Sequence, residues 1–324
     1  MIKLLIVGID GYSDRAYYDP EVPAAFLRRV LRPKSLLGTS KPFIQKDKSG
    51  RLDPHTGPNW SSIYTGVNPK VHGVDYGGWL FEHKSHGDLK VRSIWYDIRD
   101  KFRLGMVGMP VTYPAFECQW MISGFPNSRI TPKSVYPHDL KLGKKFKVDY
   151  GDGETSWRDR LMEKWDEGEF AKFMNIEEEK FELVKKLHAI DPIDVLAFGT
   201  TVVDKSCHLF TLFSKQSFEV YRRDDSLVQR LFEHFEPEQV IIVSDHGFRA
   251  MEGRHNDHGF YLWYDKKNDK PEMKSIRITE TTKMILTALE LDWGMIGKEN
   301  KQEKKYEQED VEFIEHNMRE LGYL

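Results

Sequence analysis

Five short apolar runs constrain the fold of this chain more than any other feature: KLLIVGID (3–10), RLGMVGMP (103–110), WMISGF (120–125), DVLAFGT (194–200) and QVIIVSD (239–245). They are apolar at successive rather than alternate positions. Runs of that kind suit central parallel strands, which are covered on both faces. Between them lie stretches where apolar residues recur every three or four positions, at 157–188 and 216–234, the spacing of amphipathic helices. Strand–helix alternation predicts an α/β fold: a mostly parallel central sheet with helices on both faces.

At 324 residues the chain has the length of one large catalytic domain with insertions. The segments 28–56 and 125–156, rich in Pro, Gly, Ser and Lys, are expected to form cap or lid insertions over the carboxyl edge of the sheet. Residues 298–310 form a charged, solvated stretch. Val311, Ile314, Met318 and Leu321 then fall on one helical stripe, which predicts a docked C-terminal helix at about 310–321. No internal repeat is evident.

A net charge of −3 gives no general attraction to nucleic acid or to an anionic membrane. No apolar run approaches the roughly 18 to 20 residues needed to cross a bilayer. The opening MIKLLIVGIDGY reads as a buried first strand rather than a signal segment. Cys118 and Cys207 are too few for a disulfide framework and lack metal-ligand spacing. The expectation is a cytoplasmic protein acting on a small molecule, with no nucleic-acid or membrane partner and an oligomeric state left open.

In an open α/β sheet, functional groups gather where the strands end. Asp10 follows the first run, with Gly11 allowing an immediate turn. After 194–200 comes TTVVDKSCH, in which Asp204 and His208 would share one face of a helix. Asp245 and His246 leave the run at 239–243, and His255 follows in GRHNDHGFYLW, ahead of an apolar run at 259–263. His258 is a spare imidazole nearby; the G-x-H placement favours His255. Taken singly, these residues have ordinary explanations, a helix cap for Asp10 or a helix-surface pair for Asp204 and His208. Together they make three carboxylates and three imidazoles at one sheet edge. Mixed Asp and His ligation suits Zn²⁺, with Mn²⁺ second, better than an all-oxygen Ca²⁺ or Mg²⁺ cage. Six ligands exceed the needs of one catalytic zinc, so two divalent ions are implied.

Two metals with an open face suit phosphoryl transfer, and DPHTGPNWSSIYTG (53–66) offers a nucleophile. Thr56 precedes Gly57-Pro58, and Pro58 fits the first turn of a helix over 58–65. A hydroxyl there meets free N–H groups that favour an incoming phosphate, and Gly57 lets its N–H come close to a phosphoryl oxygen. Capping is the ordinary role for such a threonine; beside a two-metal ligand set, the nucleophile is favoured.

Asp10-Gly11, Thr56-x-Pro58-Asn59, Asp204-x-x-x-His208, Asp245-His246-Gly247 and Gly253-x-His255 occur in the order used by the alkaline phosphatase superfamily. The chain most resembles its type I phosphodiesterase/nucleotide pyrophosphatase branch and related phosphohydrolases or phosphomutases. TGVNPKVHGV (65–74), PVTYP (110–114), MISGF (121–125) and RELGYL (319–324) are similar to the latter. The resemblance implies an alkaline phosphatase-like fold with two zinc ions. One would be held by Asp204, His208 and His255, the other by Asp10, Thr56, Asp245 and His246. Thr56 would attack phosphorus to give a phosphothreonine that water then hydrolyses, with Gly57 and Asn59 binding substrate.

Three departures bear on the substrate. After His72-Gly73 come Val74, Asp75, Tyr76, Gly77 and Gly78, without the phosphate-binding Asn of the nucleotide pyrophosphatases. TGPN is not the C-x-P-x-R of sulfatases, which argues against sulfate esters. No clamp for a monoester dianion can be assigned, since Arg249 and Arg254 read as surface positions. The leading expectation is a metal-dependent phosphodiesterase. A phosphomonoesterase or phosphomutase on the same site is the alternative, and a non-catalytic metal-bound binding protein ranks last because no ligand is missing.

Overall fold

Continuous apolar runs need cover on both faces, and the computed structural model shows how they obtain it. It describes residues 1–46, 50–77, 84–127, 130–142, 146–148, 167–249, 251–299 and 308–320. The strands in chain order begin with β1 (Leu4–Ile9), β2 (Ser35–Lys41), β3 (Ile44–Lys46), β4 (Leu52–Pro54) and β5 (Leu104–Val107). Next come β6 (Trp120–Ile122), β7 (Val135–Tyr136), β8 (Val195–Thr200), β9 (Gln239–Val243) and β10 (Gly247–Phe248). The last are β11 (His255–Asn256), β12 (Gly259–Asp265), β13 (Glu272–Met273) and β14 (Ile276–Arg277).

A 10-stranded sheet runs β13-β2-β12-β9-β1-β8-β5-β6-β7, with β14 also on β2. The central strands β9, β1, β8, β5 and β6 are mutually parallel. Antiparallel pairing enters through β12, which runs against both β9 and β2, and through β7 at the far edge.

Successive residues of β1 enter different cores, as the pleat requires. Leu5, Val7 and Ile9 pack with the helices Glu167–Ile190 and Lys215–Phe235, through residues such as Val184, Leu187, Val220 and Leu231. Leu4 and Ile6 pack on the other face with Trp60, Ile63, Trp95, Ile98 and Ile285. Those residues belong to the helices Thr56–Thr65, Ile94–Arg99 and Glu280–Ala288. Each fully buried aliphatic contributes about 1.5–3 kcal/mol, so a polar substitution in β1 would weaken one core or the other. The C-terminal helix spans Gln308–Glu320; it buries Ile314 and Met318 and sets Phe313 against Tyr113 at 5.0 Å. Among the described residues no helix is long and apolar enough to cross a membrane.

Two segments differ from the sequence expectation. Residues 28–56 are not a loop-like cap throughout, because Ser35–Lys41 is a strand of the main sheet. Its small polar side chains disguise it. Ser35 Oγ donates to Leu31 O at 2.7 Å and Ser40 Oγ to Ser244 O at 3.4 Å, so they are buried without orphaned groups. The β3–β4 hairpin of this segment stands off the main sheet. Within 125–156, the Pro132–Ser134 turn and β7 extend the sheet edge; residues 128–129, 143–145 and 149–156 lie outside the described residues. The expected helix at 157–188 is described over Glu167–Ile190, with 157–166 also outside.

Strand register sets the functional edge. Gly8 pairs with Val243 and Ile9 with Thr200; carried two residues further, the first pairing brings Asp10 level with Asp245. Gly11 makes the turn at φ +70°, and a Cβ there would lie 2.9 Å from Asp204 Cα. Its N–H donates to Asp245 Oδ1 at 3.3 Å. Gly11→Ala is therefore expected to lower unfolding free energy by at least the roughly 1–2 kcal/mol of a left-handed L-residue. Chemical denaturation measures this, and a variant as stable as the parent would contradict the turn's role.

Candidate active site

The ends of β1, β8 and β9 deliver the ligand-type side chains. Asp10 follows β1 directly, and Asp204 and His208 lie on the helix Val202–Phe210 that opens after β8. Asp245 and His246 follow β9, and His255 returns on β11, paired with β10. These residues form two groups, Asp204–His208–His255 and Asp10–Asp245–His246, each with its ligand atoms within 4.8 Å of one another. All six residues singled out in the sequence thus meet at one place.

The three carboxylates are deeply buried, and Asp10 Oδ1, Asp204 Oδ1 and Asp245 Oδ2 accept no well-formed hydrogen bond among the described residues. Imidazole nitrogens face them. His246 Nε2 lies 3.2 Å from Asp245 Oδ2 and 3.5 Å from Asp10 Oδ1. His208 Nε2 and His255 Nε2 each lie 3.5 Å from Asp204 Oδ1 and 2.9 Å from one another. Their other ring nitrogens contact carbonyl oxygens, His208 Nδ1 that of Gly253 at 3.0 Å and His255 Nδ1 that of Pro54 at 2.7 Å. A carbonyl can only accept, so Nδ1 carries the hydrogen and the Nε2 lone pairs turn inward. Convergent lone pairs and orphaned carboxylate oxygens form a donor set that fits a divalent cation in each group.

The charges within the groups set the shifts: burial opposes the charged form of His255, but Asp204 and then Asp53 outweigh it and raise its imidazole. Burial, followed by the charges of Asp245 and Asp204, holds Asp10 well above the usual carboxylate range. Burial and then Asp204 push Asp245 up to about 8. Burial opposes ionisation of Asp204 too, but the imidazoles of His208 and His255 outweigh it and hold its carboxyl low. Burial first, then His255, keeps His246 neutral by moving it well below the ordinary imidazole range. Neutral imidazole is the form that binds a metal.

Thr56 is the first residue of its helix rather than its cap; His55, extended at φ −107° and ψ 141°, holds the cap position. Thr56 Oγ1 lies 3.5 Å from His246 Nε2, at the edge of the second group. Gly57, the second helical residue, has an N–H among those that helix geometry leaves free of intrahelical partners. Asn59, expected to bind substrate, also makes contacts within the chain. Its Oδ1 accepts from Phe43 N at 2.7 Å, and its Nδ2 donates to the carbonyls of Phe43 and His55, each at 3.0 Å. That clamp ties the β2–β3 connection to the helix start and uses the amide's donors and an acceptor.

His258 stands apart from both groups, 3.4 Å from Asp14 Oδ1 and 2.9 Å from Asp257 Oδ1. Arg249 and Arg254 are exposed, as expected. Sequence reasoning missed Trp60 and Asp53. Trp60 Nε1 donates to Asp10 Oδ2 at 3.3 Å; its place one helical turn after Thr56 was a usable signal. Asp53 Oδ2 lies 3.4 Å from His255 Nδ1 and is announced by no periodicity.

The family described as type I phosphodiesterase / nucleotide pyrophosphatase matches residues 52–321. The chain belongs to that family. Membership makes this nucleotide pyrophosphatase-family protein a phosphoric ester hydrolase of the alkaline phosphatase superfamily. Solved structures share its fold at low identity. Human ectonucleotide pyrophosphatase/phosphodiesterase 5 is 14% identical over 90% of this chain and 95% of its own, with a TM-score of 0.53. The inactive threonine-to-alanine variant of the murine protein, in complex with AMP, is 14% identical over 90% and 96%, with a TM-score of 0.50. The lipoteichoic acid synthase LtaP of Listeria monocytogenes is 12% identical over 92% and 74%, with a TM-score of 0.53. No curated protein matches the chain by sequence.

Ions that bind only the folded state stabilise it by mass action, about 2.7 kcal/mol per site at a hundred times the dissociation constant. Free Zn²⁺ in the micromolar range is expected to raise the unfolding temperature of this family member, and a strong chelator to lower it. Scanning calorimetry reads the difference; coincident transitions would count against the two groups as cation sites.

Proposed function

We propose that this protein is a two-metal phosphodiesterase that works through a phosphothreonine on Thr56. The observation that carries the reading is the position of Thr56 Oγ1, at a helix start and 3.5 Å from the inward Nε2 of His246, beside two groups of buried Asp and His. Asp204, His208 and His255 would hold one divalent ion. Asp10, Asp245 and His246, with Thr56 itself, would hold the other; Zn²⁺ suits this mixture first and Mn²⁺ second. When bound, the ions neutralise charge on the phosphoryl oxygens and lower the pKa of a coordinated hydroxyl.

The chain's own groups supply the rest. Thr56 Oγ1, freed of its proton, attacks phosphorus, and the bond to the departing alkoxide breaks as the new one forms. The helix N–H groups from Gly57 onward would orient the non-bridging oxygens. The leaving oxygen takes up a proton, and water then attacks the phosphothreonine to release a phosphomonoester and restore the hydroxyl. Trp60 Nε1 steadies Asp10 through Oδ2, leaving Oδ1 for the cation. Family membership supports diesters over monoesters, and the AMP complex of the murine neighbour suggests a nucleotide product.

Paired chromogenic diesters and monoesters, assayed with added Zn²⁺ or Mn²⁺, test the reading. Turnover of the diester is expected to exceed that of the monoester. Thr56→Ala should reduce it by about a thousandfold or more, in the range seen when a nucleophile is removed, with the fold intact. Diesterase activity that survives Thr56→Ala would refute the covalent route.

A further inference from the structure

We infer that Asp53 is a positioning residue for His255 and sets the affinity of the Asp204–His208–His255 group for its divalent ion. The inference rests on the two-metal reading above and extends it to a residue outside the ligand set.

Asp53 sits in the middle of β4, paired across the hairpin with Gln45. Strand alternation turns its neighbour Leu52 outward, 61% exposed, and its own side chain inward, 14% exposed. There Asp53 Oδ2 approaches His255 Nδ1 at 3.4 Å, while the carbonyl of Pro54 lies 2.7 Å from the same nitrogen. The Nδ1–H thus sits between a carbonyl and a carboxylate, and Nε2 faces Asp204 Oδ1 at 3.5 Å. A carboxylate beside the outer N–H of a ligating imidazole fixes its tautomer and makes the inner nitrogen a stronger donor.

The other two imidazoles have carbonyls at their outer nitrogens. His208 Nδ1 contacts the carbonyl of Gly253 at 3.0 Å, and His246 Nδ1 contacts that of Gly247 at 3.4 Å. Asp53 therefore distinguishes the first group from the second. Arg51 Nη2, 3.6 Å from Asp53 Oδ2 and on a side chain 47% exposed, adds a solvent-side partner. Asp53 also lies three residues before Thr56, so one short connection orients a ligand and delivers the proposed nucleophile. A purely structural role in that connection is the alternative to be separated.

Asp53→Asn keeps the shape and removes the charge, and Asp53→Glu restores the charge on a longer stem. Parent and variants are titrated with Zn²⁺ against a chromogenic chelator, and diesterase activity is followed against free Zn²⁺. In the parent two sites are expected. Asp53→Asn should weaken one of them about 10–100-fold and leave the other unchanged. Its activation curve should move to higher free Zn²⁺ by the same factor, with saturating Zn²⁺ reversing the loss, and Asp53→Glu should recover part of the affinity.

Unchanged zinc affinities in Asp53→Asn would overturn the inference while leaving the two-metal reading intact. So would a fall in kcat that saturating Zn²⁺ fails to reverse, since that is the mark of a displaced Thr56. A parent protein that binds no zinc would overturn both.

Discussion

Three carboxylates buried at one sheet edge are the constraint on which the site depends. Two like charges 4 Å apart repel by about 4 kcal/mol at the effective dielectric of a protein site, and Asp10, Asp204 and Asp245 are also almost wholly removed from water. Without added positive charge, burial and mutual repulsion raise Asp10 and Asp245 out of the usual carboxylate range, while the neighbouring imidazoles hold Asp204 low. Two divalent cations would let all three ionise. The same arrangement would place positive charge where a phosphoryl group must come to meet Thr56.

The sheet creates this constraint by its register. β1 lies between β8 and β9, in parallel with both, so three chain segments leave the sheet at one level. Short connections then return Asp10, the Asp204 helix and Asp245-His246 to the same spot. Gly11 permits the closest of these approaches. The nucleophile candidate arrives separately, on a helix packed against the opposite core from the Asp204 helix. Trp60 joins the two arrangements through Asp10.

Much of this was legible in the chain. The apolar runs marked the central strands because burial on both faces leaves no polar alternation, and ligand types followed those runs directly. β2 was not legible, because Ser35, Gly38, Thr39 and Ser40 read as a loop until their partners are known. The clamp made by Asn59 was not legible for a related reason: an amide beside a proposed nucleophile reads as a substrate ligand, and its bonds to Phe43 and His55 show only in the fold. Asp53 was invisible because its partner, His255, is about two hundred residues away along the chain. Long-range pairings between single polar residues leave no local trace in a sequence.

The central claim is that two cations occupy these groups, and anomalous scattering at the zinc edge from crystals grown with Zn²⁺ tests it directly. Two peaks are expected, one among Asp204, His208 and His255, the other among Asp10, Asp245 and His246 beside Thr56. Crystals saturated with zinc that show no peak at either group would contradict it.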